Sequence, residues 1–204
     1  MKNFRCLLMA KMMILFLLGS TQVGATAITS LRIVPIQSEK MFLLSVTAKG
    51  EGKVNVQFVD EQARILFSTD LKNKQKFDHK FNLDHLPNGQ YKLIIDDELK
   101  TTEQPIGIGL GGVEIDPSTR QYLYKPLLKL DRDKQAIDLN WLMAEKGDFH
   151  FEIRDEASNI LFSDQLTASL AVHKRYDVSA FPKGNYFVTI KGENQVFYKN
   201  LYLN

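Results

Sequence analysis

A chain of 204 residues, 44% hydrophobic and 25% charged, is too apolar to stay disordered and long enough for one large core or two small ones. Thirteen Phe and seven Tyr favour strands over helices, and a single cysteine excludes a disulfide framework. A formal charge of +2 is too small to steer the chain onto nucleic acid.

The first segment accounts for that positive charge. Lys2, Arg5 and Lys11 precede the apolar run Met12 to Leu18, which closes on Gly19-Ser20, and Ala25-Thr26-Ala27 then offers an A-x-A cleavage site. This is the layout of a signal peptide over residues 1–27, with an apolar run too short for a permanent membrane span. Cys6 lies before the run, which is the wrong place for a lipidated cysteine, so no thiol and no lipid anchor are expected in the mature chain. Cleavage removes three of 26 basic residues and none of 24 acidic ones, leaving 23 − 24 = −1. Neither nucleic acid nor stable membrane insertion is therefore expected of the exported protein.

After the leader, short stretches alternate apolar and polar residues between turn signals. Phe42, Leu44, Val46 and Ala48 form one period-two face, and Val54, Val56 and Phe58 another. Glu61-Gln62-Ala63 reverses the chain into a strand over 64–71, and a further alternating strand runs from Phe77 to Leu83. Leu86-Pro87-Asn88-Gly89-Gln90-Tyr91 follows. Proline fixes φ, the glycine two residues later is able to take positive φ, and Tyr91 is placed to bury its ring while its hydroxyl stays at the rim. Asp96-Asp97 turns into a last strand ending near Ile108, and the Gly- and Pro-rich remainder up to Arg120 reads as a linker with a boundary near Asp116.

The same pattern then returns. Phe181-Pro182-Lys183-Gly184-Asn185-Tyr186 repeats the Leu86 to Tyr91 motif at an offset of 182 − 87 = 95. Without a gap, that offset sets Asp60-Glu61 on Asp155-Glu156 and Ile65-Leu66-Phe67-Ser68 on Ile160-Leu161-Phe162-Ser163. Eleven of the 38 paired positions from Phe58/Ile153 to Ile95/Ile190 are identical, and Val46 falls opposite Trp141. The sequence thus predicts an all-β protein of two tandem small antiparallel β-sandwiches, over residues 28–115 and 116–204, with no helix of useful length. The structural turn motif comprises Leu86, Pro87, Gly89 and Tyr91 in the first copy and Phe181, Pro182, Gly184 and Tyr186 in the second.

Phe151-Glu152-Ile153-Arg154-Asp155, Ile160-Leu161, the run from Asp177 to Tyr186 and the terminal strand from Val196 to Asn204 together resemble a known pattern. It is that of the C-terminal sorting domain of the type IX (Por) secretion system and related bacterial immunoglobulin-like domains of unknown function. The likeness covers residues 148–204, with a weaker echo in the first copy. It implies an immunoglobulin-like sandwich, a cell-surface destination and the secretion machinery as a partner.

The residues able to carry chemistry each have a structural or surface role open to them. His79, His85, His150 and His173 lack convergent partners at metal-ligand spacing and are expected at the surface; on one strand, His79 and His85 would lie about 20 Å apart. Asp60-Glu61, Asp96-Asp97 and Asp155-Glu156 fall at hairpin turns, where acidic side chains cap backbone N–H groups, and no dense Asp/Asn loop suits calcium. Gly107 to Gly112 lacks the following helix and Lys-Ser/Thr of a phosphate loop. Ser20, Ser68 and Ser163 lack a nucleophile-elbow context, and Trp141 is expected in the core. The expectation is an exported protein with no catalytic, cofactor or metal residues, binding a protein or an envelope component. A type IX substrate whose second copy is the sorting signal is the alternative, and a carbohydrate-binding module, with Tyr122, Tyr124 and Tyr198 as candidate contacts, is the third reading.

Overall fold

The computed structural model describes residues 27–49, 52–72, 76–142, 147–168, 170–193 and 195–204. The expected leader, with Cys6 and Ser20, lies outside the described residues. Sixteen strands and a single 3-10 turn, with no α-helix, make up the regular structure described, and every strand pairing is antiparallel.

In the N-terminal sandwich, β1 (Ala27–Pro35), β2 (Met41–Lys49) and β5 (Lys76–Asn82) form one sheet in the order β1-β2-β5. The facing sheet runs β4-β3-β6-β7, from β3 (Lys53–Asp60), β4 (Ile65–Lys72), β6 (Gly89–Asp96) and β7 (Lys100–Gly109). The C-terminal sandwich repeats this plan. Its three-stranded sheet is β10 (Leu127–Asp131), β11 (Ala136–Leu142) and β14 (Ala171–Asp177); its four-stranded sheet is ordered β13-β12-β15-β16. These last four are β12 (Gly147–Arg154), β13 (Ile160–Ala168), β15 (Gly184–Lys191) and β16 (Val196–Leu203). A three-plus-four antiparallel sandwich with this connectivity is the immunoglobulin-like architecture of fibronectin type III modules.

Period-two alternation is what buries one face of each strand. On β2, Phe42, Leu44, Val46 and Ala48 are buried while Leu43 and Lys49 face solvent. Val54, Val56 and Phe58 of β3, Leu93 and Ile95 of β6, and Ile106 and Ile108 of β7 meet them in one cluster. A second, separate cluster joins Ile137, Leu139 and Trp141 to Phe149, Phe151, Ile153, Val188 and Ile190. Each sandwich therefore has its own core, in which a buried Phe or Leu contributes about 1.5–3 kcal/mol by leaving water.

Two expectations change. The stretch beyond Leu110 is not an unstructured linker. Gly111 and Gly112 turn the chain into β8 (Gly112–Glu114), which pairs back onto Gly107–Gly109 of β7. A 3-10 turn at Pro117–Thr119, capped by the Asp116 carboxylate, then leads to β9 (Gln121–Tyr124), which pairs with Lys100–Glu103 of the same β7. Strand pairing to the N-terminal sandwich thus continues past Asp116. Gly112 makes the reversal possible. It has φ +108°, and a Cβ there would sit 2.7 Å from the Glu39 carbonyl oxygen.

The second change concerns the glycine of the Leu-Pro-x-Gly-x-Tyr motif. Gly184 takes positive φ, at 158°, as expected of it, but Gly89 does not, and neither lies in the left-handed helical region. That region is used instead by Ala63 (φ 60°) and Ser158 (φ 66°), in the β3–β4 and β12–β13 turns.

Candidate functional site

The motif residues Leu86 to Tyr91 and Phe181 to Tyr186 build a corner rather than a reactive centre. Tyr91 Oη donates to the Pro87 carbonyl at 2.9 Å, and Tyr186 Oη to the Pro182 carbonyl at 2.7 Å. Both tyrosines are buried, with Tyr91 stacked on Phe58 at 5.5 Å and Tyr186 against Phe181 at 5.6 Å. This is a tyrosine corner, in which a buried ring sends its hydroxyl back to a backbone carbonyl just upstream. Leu86 and Phe181 pack at the margin of their respective cores. Gly89 and Gly184 are the first residues of β6 and β15, directly after the corner.

One residue of each acidic pair is consumed by its own turn. Asp60 accepts from the backbone N–H groups of Gln62 and Arg64 at 3.0 and 2.9 Å and from the Arg64 guanidinium at 2.6 Å. Burial pushes its carboxyl up, but the Arg64 N–H and guanidinium together hold it below the usual carboxylate value. Asp155 repeats the clamp, accepting from the side chain of Asn159 at 2.9 Å and its backbone N–H at 2.8 Å, which lower its pKa. Asp97 takes the N–H groups of Leu99 and Lys100, both at 2.8 Å. No cluster of three potential metal ligands exists among the described residues.

The histidines separate. His79 lies on β5 in a ring ladder with Phe67, Phe77 and Phe81, at centroid distances of 5.2, 5.6 and 4.6 Å. His85 lies in the exposed turn after β5, not on the strand, and His173 contacts Asn140 at 2.6 Å. His150 stands closest to a catalytic arrangement: its Nε2 is 3.1 Å from Ser163 Oγ, and Nδ1 is 3.3 Å from Gln165 Oε1. The carboxylate Glu152 Oε1, however, approaches the same Nε2 at 3.3 Å instead of orienting the ring through Nδ1. The trio also stands on an outer sheet surface, with β12 backbone groups paired on both sides by β13 and β15, leaving that strand no oxyanion donors. An open groove of about 480 Å³ crosses the outside of the β1-β2-β5 sheet over Leu43, between Arg32 and Lys80, remote from this trio in the fold.

Sequence reasoning missed how the open side of each sandwich, between its fourth and fifth strands, is closed. In the N-terminal copy the His79 ring ladder closes it. At the equivalent positions of the C-terminal copy, Lys174 Nζ and Tyr176 Oη both donate to Asp164 Oδ2, at 2.6 and 3.0 Å. The Lys174 bond holds the Asp164 carboxyl below its usual range, while burial and this carboxylate push the Tyr176 phenol up. Only the swap of Thr69, His79 and Phe81 for Asp164, Lys174 and Tyr176 could have signalled it.

Exposed apolar residues concentrate on strand edges. Ile65 and Leu66 on β4 are 58% and 44% exposed, and Ile160, Leu161 and Phe162 on β13 are 51%, 41% and 38% exposed. Trp141, buried as expected, donates its indole N–H to the Tyr124 carbonyl at 2.9 Å, tying β11 to the end of β9.

No protein-family model matches the sequence, and no curated protein matches it. Among solved structures, a biofilm associated protein BSP domain is similar at 12% identity and a TM-score of 0.29, over 87% of this chain and 29% of that one. Dimeric latent PorU from Porphyromonas gingivalis is similar at 8% identity and TM-score 0.33, over 90% of this chain and 20% of that one. The FN1–FN3 domains of chicken CNTN1 follow at 11% identity and TM-score 0.30, over 87% of this chain and 66% of that one. The chain thus spans less than a third of the first two structures, and the fold assignment rests on its own strand order.

Proposed function

We propose that this chain is an exported, non-catalytic adaptor that holds another protein or an envelope component against its sandwich edges. The observation that carries the reading is the Ile-Leu-Phe corner, whose Ile and Leu are exposed in both copies at the start of β4 and of β13. Burial drives folding, so apolar residues gathered on an exposed edge in two copies of one plan are better explained by a partner that covers them. The outer faces of both strands otherwise carry polar side chains such as Ser68, Asp70, Ser163 and Gln165, so the apolar corner is local. No cofactor is needed for this role.

The test places a photocrosslinking residue at Leu66 or Leu161 in cells, with Glu193, exposed in the β15–β16 turn at the other end of the sheet, as control. A discrete adduct from the first two sites and none from the third supports the reading; crosslinks of equal pattern from all three overturn it. The type IX sorting reading differs in one measurable respect, because it requires loss of the C-terminal sandwich at the cell surface. Mass spectrometry of the mature protein ending at Asn204 would exclude it.

A further inference from the structure

The two sandwiches differ at one strand edge. β7 pairs with β6 on one side, and its other side is covered by β8 and β9. β16 occupies the same place in the second copy, in the same register: Tyr91 opposes Ile106 as Tyr186 opposes Leu201, and Ile95 opposes Thr102 as Ile190 opposes Phe197. Yet β16 pairs with β15 alone among the described residues. Its eight residues, about 26 Å of backbone at about 3.3 Å each, present an edge that no described residue covers. Val196, Tyr198 and Tyr202 stand out along it at 40%, 76% and 53% exposure, and Phe187 of β15 lies beside them at 40%.

One position shows what such an edge accepts. On β7, the wholly buried Gln104 meets the covering segment directly: its amide nitrogen donates to the Asp116 carbonyl at 2.9 Å, and its oxygen accepts from Arg120 Nε at 3.0 Å. Ninety-five residues on, Lys199 stands there, exposed, on the same inward parity as Phe197, Leu201 and Leu203. An inward-pointing lysine on an edge strand discourages pairing with a second copy, because it sets a cation where the joined sheet would be closed. A strand with a carboxylate at that point is welcomed instead.

We propose that β16 is an acceptor edge for an extended strand of another polypeptide, which joins the β13-β12-β15-β16 sheet as a fifth strand and sets an Asp or Glu against Lys199. Main-chain hydrogen bonds supply the attachment, and the lysine supplies the choice of sequence. This rests on the adaptor reading but uses a different edge from the Ile-Leu-Phe corner.

The test uses the full mature chain and two labelled nine-residue peptides of alternating Thr and Val, capped at both ends, with Glu or Lys at the centre. Fluorescence anisotropy is expected to show the Glu peptide binding about three- to tenfold tighter, as one cross-strand charge pair gained and one repulsion avoided would give. Lys199→Glu inverts the preference, and Asn200→Pro, which blocks an edge, abolishes binding of both. An unchanged preference in Lys199→Glu, no binding of either peptide, or a dimer in sedimentation with the β16 amides protected from exchange would overturn the proposal. Crosslinking at Leu66 and Leu161 is independent of Lys199, so failure here leaves the adaptor reading separately measurable.

Discussion

Replacing Ser158 by glycine should stabilise the C-terminal sandwich. Ser158 holds φ 66° in the β12–β13 turn, a region that costs an L-residue about 1–2 kcal/mol. Its contacts there use the backbone: its N–H donates to the Asp155 carbonyl at 3.0 Å and its carbonyl accepts from Arg154 Nη1 at 3.1 Å. Glycine keeps both bonds and removes the strain, while the freer unfolded chain takes back about 0.4–1 kcal/mol. The net gain is about 0.5–1 kcal/mol. The only tryptophan, Trp141, is buried in this sandwich against Phe149 at 4.4 Å, so its fluorescence follows this sandwich's unfolding. With a urea slope of roughly 1 kcal/mol per molar for so small a domain, the fluorescence midpoint should rise by about 0.5–1 M. A midpoint unchanged or lowered would mean that the turn does not store this strain.

Three further outcomes follow from the same geometry. Gly112→Ala forces a Cβ to within 2.7 Å of the Glu39 carbonyl and fixes an L-residue at φ +108°, so the N-terminal sandwich should lose on the order of 1–3 kcal/mol in a circular dichroism melt. Tyr186→Phe removes the hydroxyl that reaches the Pro182 carbonyl, so the C-terminal sandwich, followed by Trp141 fluorescence, should lose about 0.5–1.5 kcal/mol. Asp60, Asp138, Asp155 and Asp164 all have folded pKa values lowered by their partners, so protonation favours the unfolded chain. Their contribution is complete above the unfolded carboxylate value of about 4 and is lost as pH falls below it, so stability should be flat from about pH 5 to 8 and fall in acid, less steeply in Asp164→Asn.

The fold was legible because its two signals, period-two burial and an internal repeat, are local in sequence. Phe42, Leu44 and Val46 announce a half-buried strand by alternation, and Asp60-Glu61 with Ile65 to Ser68 recurs 95 residues later at the same turn and strand. The covering of β7 was not legible. Gly111-Gly112, Pro117 and Gln104 look like loop chemistry, and only pairing with residues 100–109 turns that stretch into an edge cap. The left-handed turn residues were hidden for a different reason: Ala63 and Ser158 are not glycine, and the Asp60 and Asp155 clamps hold them in place through neighbours rather than by propensity. The Asp164–Lys174–Tyr176 closure required three substitutions on two strands to be read together.

Separate cores are the foundation for treating each edge on its own terms, and Phe58→Ala in the full mature chain tests them most directly. Phe58 is 2% exposed and belongs to the N-terminal cluster, so its truncation should remove about 3–5 kcal/mol there. Circular dichroism should then show an early unfolding phase while the Trp141 fluorescence midpoint stays where it is in the unaltered protein. A fluorescence transition that moves down together with that early phase would show one cooperative unit instead of two.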